Sequence, residues 1–385
     1  MDISYILNHL GEERDEYYGS VAPPIFQSTN FCFKSVGEMR EKLTRELETP
    51  FYTRGYNPTV ATLRKKLAAL EKAEDALVFS SGSAAVAAAV MSVVKGGDHV
   101  ICVQKPYSWT GNLLTKYLSK YGVTSTFVDG READNFEKAI RPETKLIYLE
   151  SPNSLTFEMQ DIAAVVKIAK AKGIVTVMDN SYNSPLNQNP IAMGVDLVLH
   201  SGSKYINGHS DVVCGVVCGS RERIMKMMAE EYMTIGSCIS PHDAALIIRG
   251  LRTIELRVNQ SALSTKKVAD FLEKHPKIKQ LNYPFSSNNP QLELAKKQMK
   301  QGGGLLSIVI DAENEAAVER FCDNLKRFIM ATSWGGHESL IFPLCALAAS
   351  KSFENPLPWN MVRLYIGLED ADLLIEDLEQ ALDKV

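Results

Sequence analysis

Between Pro58 and residue 217, short apolar runs alternate with longer helical ones, and no other feature restricts the fold of this chain as much. The strand-like runs are 76–79, 99–103, 123–128, 146–150, 174–178, 195–199 and 212–217, short and rich in β-branched residues. Helical patterns lie between them at 84–94, 113–121 and 162–171, after an amphipathic stretch at 59–70 that puts Leu63, Leu67 and Leu70 on one face. Such alternation predicts an α/β fold: a mostly parallel sheet with helices on both faces. After about Pro241 the pattern turns helical through residue 274. A strand at 305–310, a helix at 315–324 and a final helix from Asp370 then predict a smaller C-terminal α+β domain. Residues 1–53, with Pro23-Pro24 and few periodic elements, read as an N-terminal arm. The expected divisions are 1–53 for the arm, 54–249 for the main domain and 250–385 for the C-terminal domain, since 385 residues exceed one ordinary core.

Two of the predicted strands end in chemistry. The run 174–178 leads into Asp179, and the run 195–199 leads into His200-Ser201-Gly202-Ser203-Lys204. Ligands of open α/β sheets bind beyond the carboxyl ends of the strands. A lysine and a carboxylate arriving there together are what a pyridoxal phosphate (PLP) enzyme requires: the amine forms the Schiff base and the acid keeps the pyridine nitrogen protonated. The same segment taken alone also admits a surface lysine and a carboxylate that never meet.

Composition narrows the classes. A formal net charge of −4, 45% hydrophobic and 23% charged residues describe an ordinary globular chain, with no basic run or arginine–aromatic stripe to bind nucleic acid. The apolar runs are too short for a membrane span and MDISYILNHLGEERDEYYG has no signal-peptide pattern, so the cytoplasm is the expected location. Seven cysteines show no framework spacing; Cys214 and Cys218 lie in an apolar run that predicts core packing, and no metal site is expected.

Further candidates surround the lysine segment in sequence terms. Ser81, Gly82 and Ser83 stand between a strand and an alanine-rich helix, where free amides and a permissive glycine suit a phosphate. An ordinary serine cap explains them equally until Ser201 and Ser203 are added. Tyr107, beyond the strand 99–103, can stack on a planar cofactor or lie half-buried at the surface. Tyr52 and Arg54, in a loop, offer a fork for a phosphate or a solvated arginine. Arg363 interrupts an apolar strand pattern and needs an anion, supplied by a structural salt bridge or by a substrate carboxylate.

Taken together, APPIFQST, FYTRGYNPT, FSSGSAA, ESPNS, MDNS, HSGSKYINGHSD, SPHDAALIIRGLRTIELR, SWGGHESL and RLYIGLED resemble the transsulfuration (Cys/Met metabolism) family of PLP enzymes over nearly the whole chain. The resemblance implies fold type I, PLP as cofactor and a homotetramer. It implies Lys204 as the Schiff-base lysine, Asp179 as the pyridinium partner and Tyr107 stacked on the ring. It places the phosphate on Ser81, Gly82, Ser83, Ser201 and Ser203, with Tyr52 and Arg54 reaching the phosphate of a neighbouring subunit. Arg363, helped by Ser333, would bind the substrate α-carboxylate.

Within that family γ-type members read E-S-P-x-N-P and S-L-G-G, whereas here Ser154-Leu155 and Trp334 occupy the varied positions. Both departures, and the ending RLYIGLEDADLLIEDL, resemble the bacterial β-lyases of the family. The implied reaction is α,β-elimination of the sulfur amino acid L-cystathionine to homocysteine, pyruvate and ammonia. Lys204 is the expected base at Cα, and Lys204 or Tyr107 the donor to the leaving sulfur. The alternatives are γ-elimination or γ-replacement on the same frame and, in a different class, a non-catalytic PLP-binding regulator. Ser181 replaces a usual threonine, and the stretch 341–358 departs from the common pattern, leaving the distal substrate pocket undefined.

Overall fold

The computed structural model describes residues 1–347 and 357–385; residues 348–356 of the divergent stretch near the C-terminus lie outside the described residues. The chain forms two compact units, one of Met1–Glu150, Gln160–Asn207 and Asp211–Thr253, the other of Ser151–Met159, Gly208–Ser210 and Ile254–Val385.

The first unit is built on a seven-stranded sheet. Its strands are β1 (Asp75–Phe79), β2 (His99–Val103), β3 (Thr124–Val128), β4 (Thr144–Glu150), β5 (Val175–Asp179), β6 (Leu197–Ser201) and β7 (Gly215–Gly219), in the order β1-β7-β6-β5-β4-β2-β3. Five neighbours from β3 to β6 run parallel, and β7 alone runs antiparallel, to β6 and β1. Side chains of successive strand residues point to opposite faces. Val100, Cys102, Leu146 and Tyr148 accordingly join one core with Ala85 and Ala89 of the Gly82–Met91 helix. Ile101, Val103, Ile147 and Leu149 join another with Val165 and Ala169 of the Ile162–Ala171 helix. Both faces are covered, as the near-continuous apolar strands require.

The 113–121 pattern predicted an ordinary helix. The structure has instead a wide i→i+5 turn over Leu113–Tyr117 and a tight i→i+3 turn over Leu118–Tyr121. Periodicity still buries Leu114 and Leu118, because both turns keep roughly one residue in four on the core face.

The N-terminal residues are anchored on the Pro58–Glu71 helix, where Thr62 and Thr59 bond the carbonyls of Gly11 and Pro24. Lys66 of the Pro58–Glu71 helix is fully buried; its Nζ donates to the carbonyls of Ile6 and Leu7 and pairs with Glu12 at 3.1 Å. Further along, Val21, Ile25, Val36 and Leu43 are exposed.

The second unit carries a five-stranded sheet of β8 (Ile278–Asn282), β9 (Leu305–Ile310), β10 (Ile329–Met330), β11 (Leu340–Pro343) and β12 (Met361–Tyr365), ordered β10-β11-β12-β9-β8. Leu306, Ile308 and Leu364 pack with Val318 and Phe321 of Glu315–Asn324 and with Leu374 and Leu378 of Ala371–Leu382. Asp370 caps that last helix, its carboxylate accepting from the amides of Asp372 and Leu373. Among the described residues no helix is long and apolar enough to cross a membrane.

Candidate active site

The carboxyl ends of β4, β5 and β6 lie side by side, and the register opposes Glu150 to Asp179 and Asp179 to Leu199. Asp179 is 8% exposed. Its Oδ1 accepts the Ser181 amide at 2.9 Å, and the Ser181 hydroxyl bonds the same carboxylate while accepting the Ser201 amide at 2.7 Å. Burial pushes the Asp179 carboxyl above its ordinary range, against the bonds from Ser181 and the charges of His200 and Lys204, which favour ionisation. A buried acid held this way gains from a cation laid against it. Lys204 lies in the turn after β6, half-buried, its amide bonded to the Ser201 carbonyl.

Opposite these groups stands the start of the Gly82–Met91 helix. Ser81 is its N-cap, with Oγ accepting the Ala84 amide at 3.1 Å, a bond that leaves the hydroxyl its own O–H to donate. The first-turn amides after it have no partner in the helix. A Cβ on Gly82 would stand 3.1 Å from both Cβ and Oγ of Ser201, and one on Gly215 would stand 2.1 Å from the Ser81 carbonyl oxygen. Two glycines therefore let β6, β7 and the helix start close into a cradle too tight for side chains. The Ser203 hydroxyl is tied to the Cys214 backbone, accepting from its amide at 2.8 Å and donating to its carbonyl at 3.3 Å.

Tyr107 is 39% exposed and held at both ends: its amide donates to Glu150 Oε2 at 2.6 Å and its hydroxyl bonds the Ser83 side chain. Burial pushes the phenol up, and the charges of Asp179 and Glu150 push it further. Ser81, Gly82, Ser83, Tyr107, Asp179, Ser201, Ser203 and Lys204 thus belong to one group of strand ends and turns in the first unit. Tyr52 and Arg54 are a surface pair of the same unit, the guanidinium 5.5 Å from the centre of the tyrosine ring.

In the second unit Arg363 sits in β12, half-buried, over the Phe342 ring at 5.2 Å. Its Nη2 donates to the Ser333 carbonyl at 3.0 Å, and burial pushes the guanidinium down to about 10. Among the described residues no carboxylate pairs with it, so the salt-bridge alternative has no acid to supply it. Ser333 is in the left-handed region at φ +73°, a conformation that costs a non-glycine residue energy and aims its carbonyl at the arginine. Trp334 and Ser154 are half-buried in this unit. Leu155, next to Ser154, is also left-handed at φ +68°, and its carbonyl accepts from the Ser307 hydroxyl at 2.6 Å.

Three further groups complete the site without having been assigned from sequence. Glu150 acts on Tyr107, 43 residues away, and Ser181 joins its near neighbour Asp179 to Ser201, 20 residues on, links that no local pattern encodes. Behind β6, His200 Nε2 lies 2.7 Å from Oε2 of Glu71, a fully buried pair to which the Asn180 side chain adds a bond. A positive charge on His200 favours the ionised form of Asp179.

The donor set of the first unit suits a flat, anionic, nitrogen-bearing cofactor: a glycine-lined helix start for a phosphate, a buried carboxylate for a ring nitrogen, an aromatic ring and a lysine. Among the described residues no cluster of His, Cys, Asp and Glu is arranged to hold a metal ion.

Comparison with known proteins agrees with that donor set. Residues 5–383 match the model of the family described as Cys/Met metabolism PLP-dependent enzyme. The chain is 39% identical to L-methionine gamma-lyase of Treponema denticola over 98% of this chain and 96% of that protein. It is 36% identical to cystathionine beta-lyase of Lactococcus lactis subsp. cremoris, over 98% and 97% of the two chains. The solved structure of metB from Corynebacterium glutamicum superposes with a TM-score of 0.92 at 36% identity, covering 100% of this chain and 98% of that one.

Proposed function

This chain belongs to the Cys/Met metabolism PLP-dependent enzyme family, with the α/β fold of type I PLP enzymes, and from that premise we propose that it is a carbon–sulfur lyase acting by α,β-elimination on L-cystathionine. Water is consumed and homocysteine, pyruvate and ammonia are released.

Bound PLP supplies the electron sink that makes the substrate Cα–H acidic. The residues of the chain do the rest. The Asp179 carboxylate would hold the ring nitrogen, and the bonds from Ser181 orient it and favour its ionised form. Lys204 Nζ takes the Cα proton. The same amine, or the Tyr107 hydroxyl, gives a proton to the departing sulfur. The amides of the cradle hold the phosphate, and Ser83 steadies Tyr107. In the second unit Arg363, free of carboxylate partners among the described residues, takes the substrate α-carboxylate beside Ser333.

One observation carries β-elimination over γ-chemistry: Leu155 at φ +68°. Proline is confined near φ −65°, so the Asn-Pro of γ-type members cannot trace this backbone, and the change reaches beyond two side chains. Trp334 adds bulk beside Ser333 in the same sense. A γ-lyase reading remains the competitor, because the relatives compared include an L-methionine gamma-lyase. Purified holoenzyme given L-cystathionine separates them: pyruvate with homocysteine is expected, and 2-oxobutyrate with cysteine overturns the β-lyase assignment while leaving the PLP enzyme in place. We further infer a cytoplasmic homotetramer from the family resemblance; the exposed apolar Val21, Ile25, Val36 and Leu43 support contact between subunits.

A further inference from the structure

Glu150 is 6% exposed at the end of β4, and the register sets it beside Asp179. Leu149 and Met178 enter the same core cluster, so the alternation of the strands turns both carboxylates to the other face. A second buried carboxylate beside the one the cofactor needs is expensive unless it has work of its own. Its Oε2 accepts the amide of Tyr107 at 2.6 Å, a charge-assisted bond across 43 residues of sequence. That amide opens the short Ser108–Asn112 helix, where Tyr107 is the N-cap and no side chain supplies a capping bond.

We propose that Glu150 is a positioning residue for the cofactor: by gripping the Tyr107 amide it fixes the height and tilt of the ring that covers the pyridine. Ser83 secures the far end of the same side chain, so the ring is pinned between the cradle helix and the β4 end. Without Glu150 the amide end loses its grip; the hydroxyl tether and the Thr110 and Gly111 amides on the Tyr107 carbonyl remain, and the ring is free to change its tilt. The proposal rests on the reading of Tyr107 as the stacking ring.

The test uses full-length protein reconstituted with PLP, reading cofactor Kd by fluorescence titration and the visible circular dichroism of the bound cofactor, with melting of the apo-protein as a folding control. Glu150→Ala is expected to raise the PLP Kd about tenfold and change the dichroism, as loss of one charge-assisted bond implies. Glu150→Gln, whose amide oxygen can accept the same N–H, should stay within about threefold of wild type. On a Tyr107→Ala background, Glu150→Ala should add less than about twofold, because the route through the ring is already gone. The proposal is overturned by a Glu150→Ala protein with wild-type Kd and dichroism, or by a full loss persisting on the Tyr107→Ala background. A Tyr107→Ala protein that binds PLP as wild type would sink the stacking reading itself, and the proposal with it.

Discussion

Asp179 is held where a carboxylate gains little from solvent, and stability and activity should therefore pull apart at this residue. Burial raises its folded-state pKa above the unfolded value. An acid shifted in that direction contributes most to stability below its unfolded pKa and loses the contribution as pH rises through the folded one. At neutral pH the ionised group works against the fold of the cofactor-free protein. Asp179→Asn should consequently melt higher than wild type as apo-protein at pH 7, the difference shrinking toward pH 4. The same variant should still bind PLP yet keep less than a tenth of kcat, a barrier rise of more than ~1.4 kcal/mol, since a neutral amide cannot hold the ring nitrogen protonated. An apo-protein melting lower, or a kcat above that level, would contradict the role. Lys204→Ala should leave the melting profile intact, because the side chain is only half-buried, while turnover falls by several orders of magnitude. Legibility at this scale followed distance along the chain. Lys204 and Asp179 announce themselves by standing at the ends of apolar runs, whereas the grip of Glu150 on the Tyr107 amide leaves no mark in either neighbourhood. Ser203 carries a tie of the same hidden kind: its hydroxyl is bonded both ways to the Cys214 backbone, which its position beside the lysine does not show.

Among the elements, the segment from Ser151 to Phe157 departs from regular geometry, with Leu155 and Phe157 both left-handed. Leu155 also packs beside the small cluster of Val309, Leu344 and Met361. Leu155→Pro should destabilise the protein by more than about 1 kcal/mol and depress turnover, because the ring cannot adopt φ +68°. Leu155→Gly accepts the backbone and loses only packing, so it should retain more activity than the proline variant. Equal melting temperatures and rates for the two would show that the backbone at this position is unimportant. Sequence patterning located the seven strands of the first unit, β9, β12 and the principal helices, since a buried strand must be apolar throughout and a packed helix must show its stripe; it missed the shorter or more exposed β8, β10 and β11. It could not tell the wide turn at Leu113–Tyr117 from an α-helix, because both bury Leu114. Nor could it show the strand order, which depends on which edges meet and not on what each strand contains.

For the whole molecule, the exposed pair Tyr52 and Arg54 is the part of the proposed site that one chain does not explain by itself. If Arg54 reaches the phosphate of a neighbouring subunit, Arg54→Ala should weaken PLP retention and loosen the oligomer together. Sedimentation and cofactor titration on one preparation check this. Loss of cofactor affinity in a protein that sediments as an active monomer would rule out the crossing. Another consequence concerns the order in which the chain is made. The edge strand β1 pairs along its whole length with β7, about 140 residues later, and Gly215 on that strand admits the Ser81 carbonyl at the cradle. A chain still growing on the ribosome already carries its lysine and its acid once residue 204 has emerged, yet the wall that shapes the proposed phosphate pocket is missing. Cofactor capture must wait until β7 has left the exit tunnel, and a nascent chain arrested before Gly215 should not retain PLP.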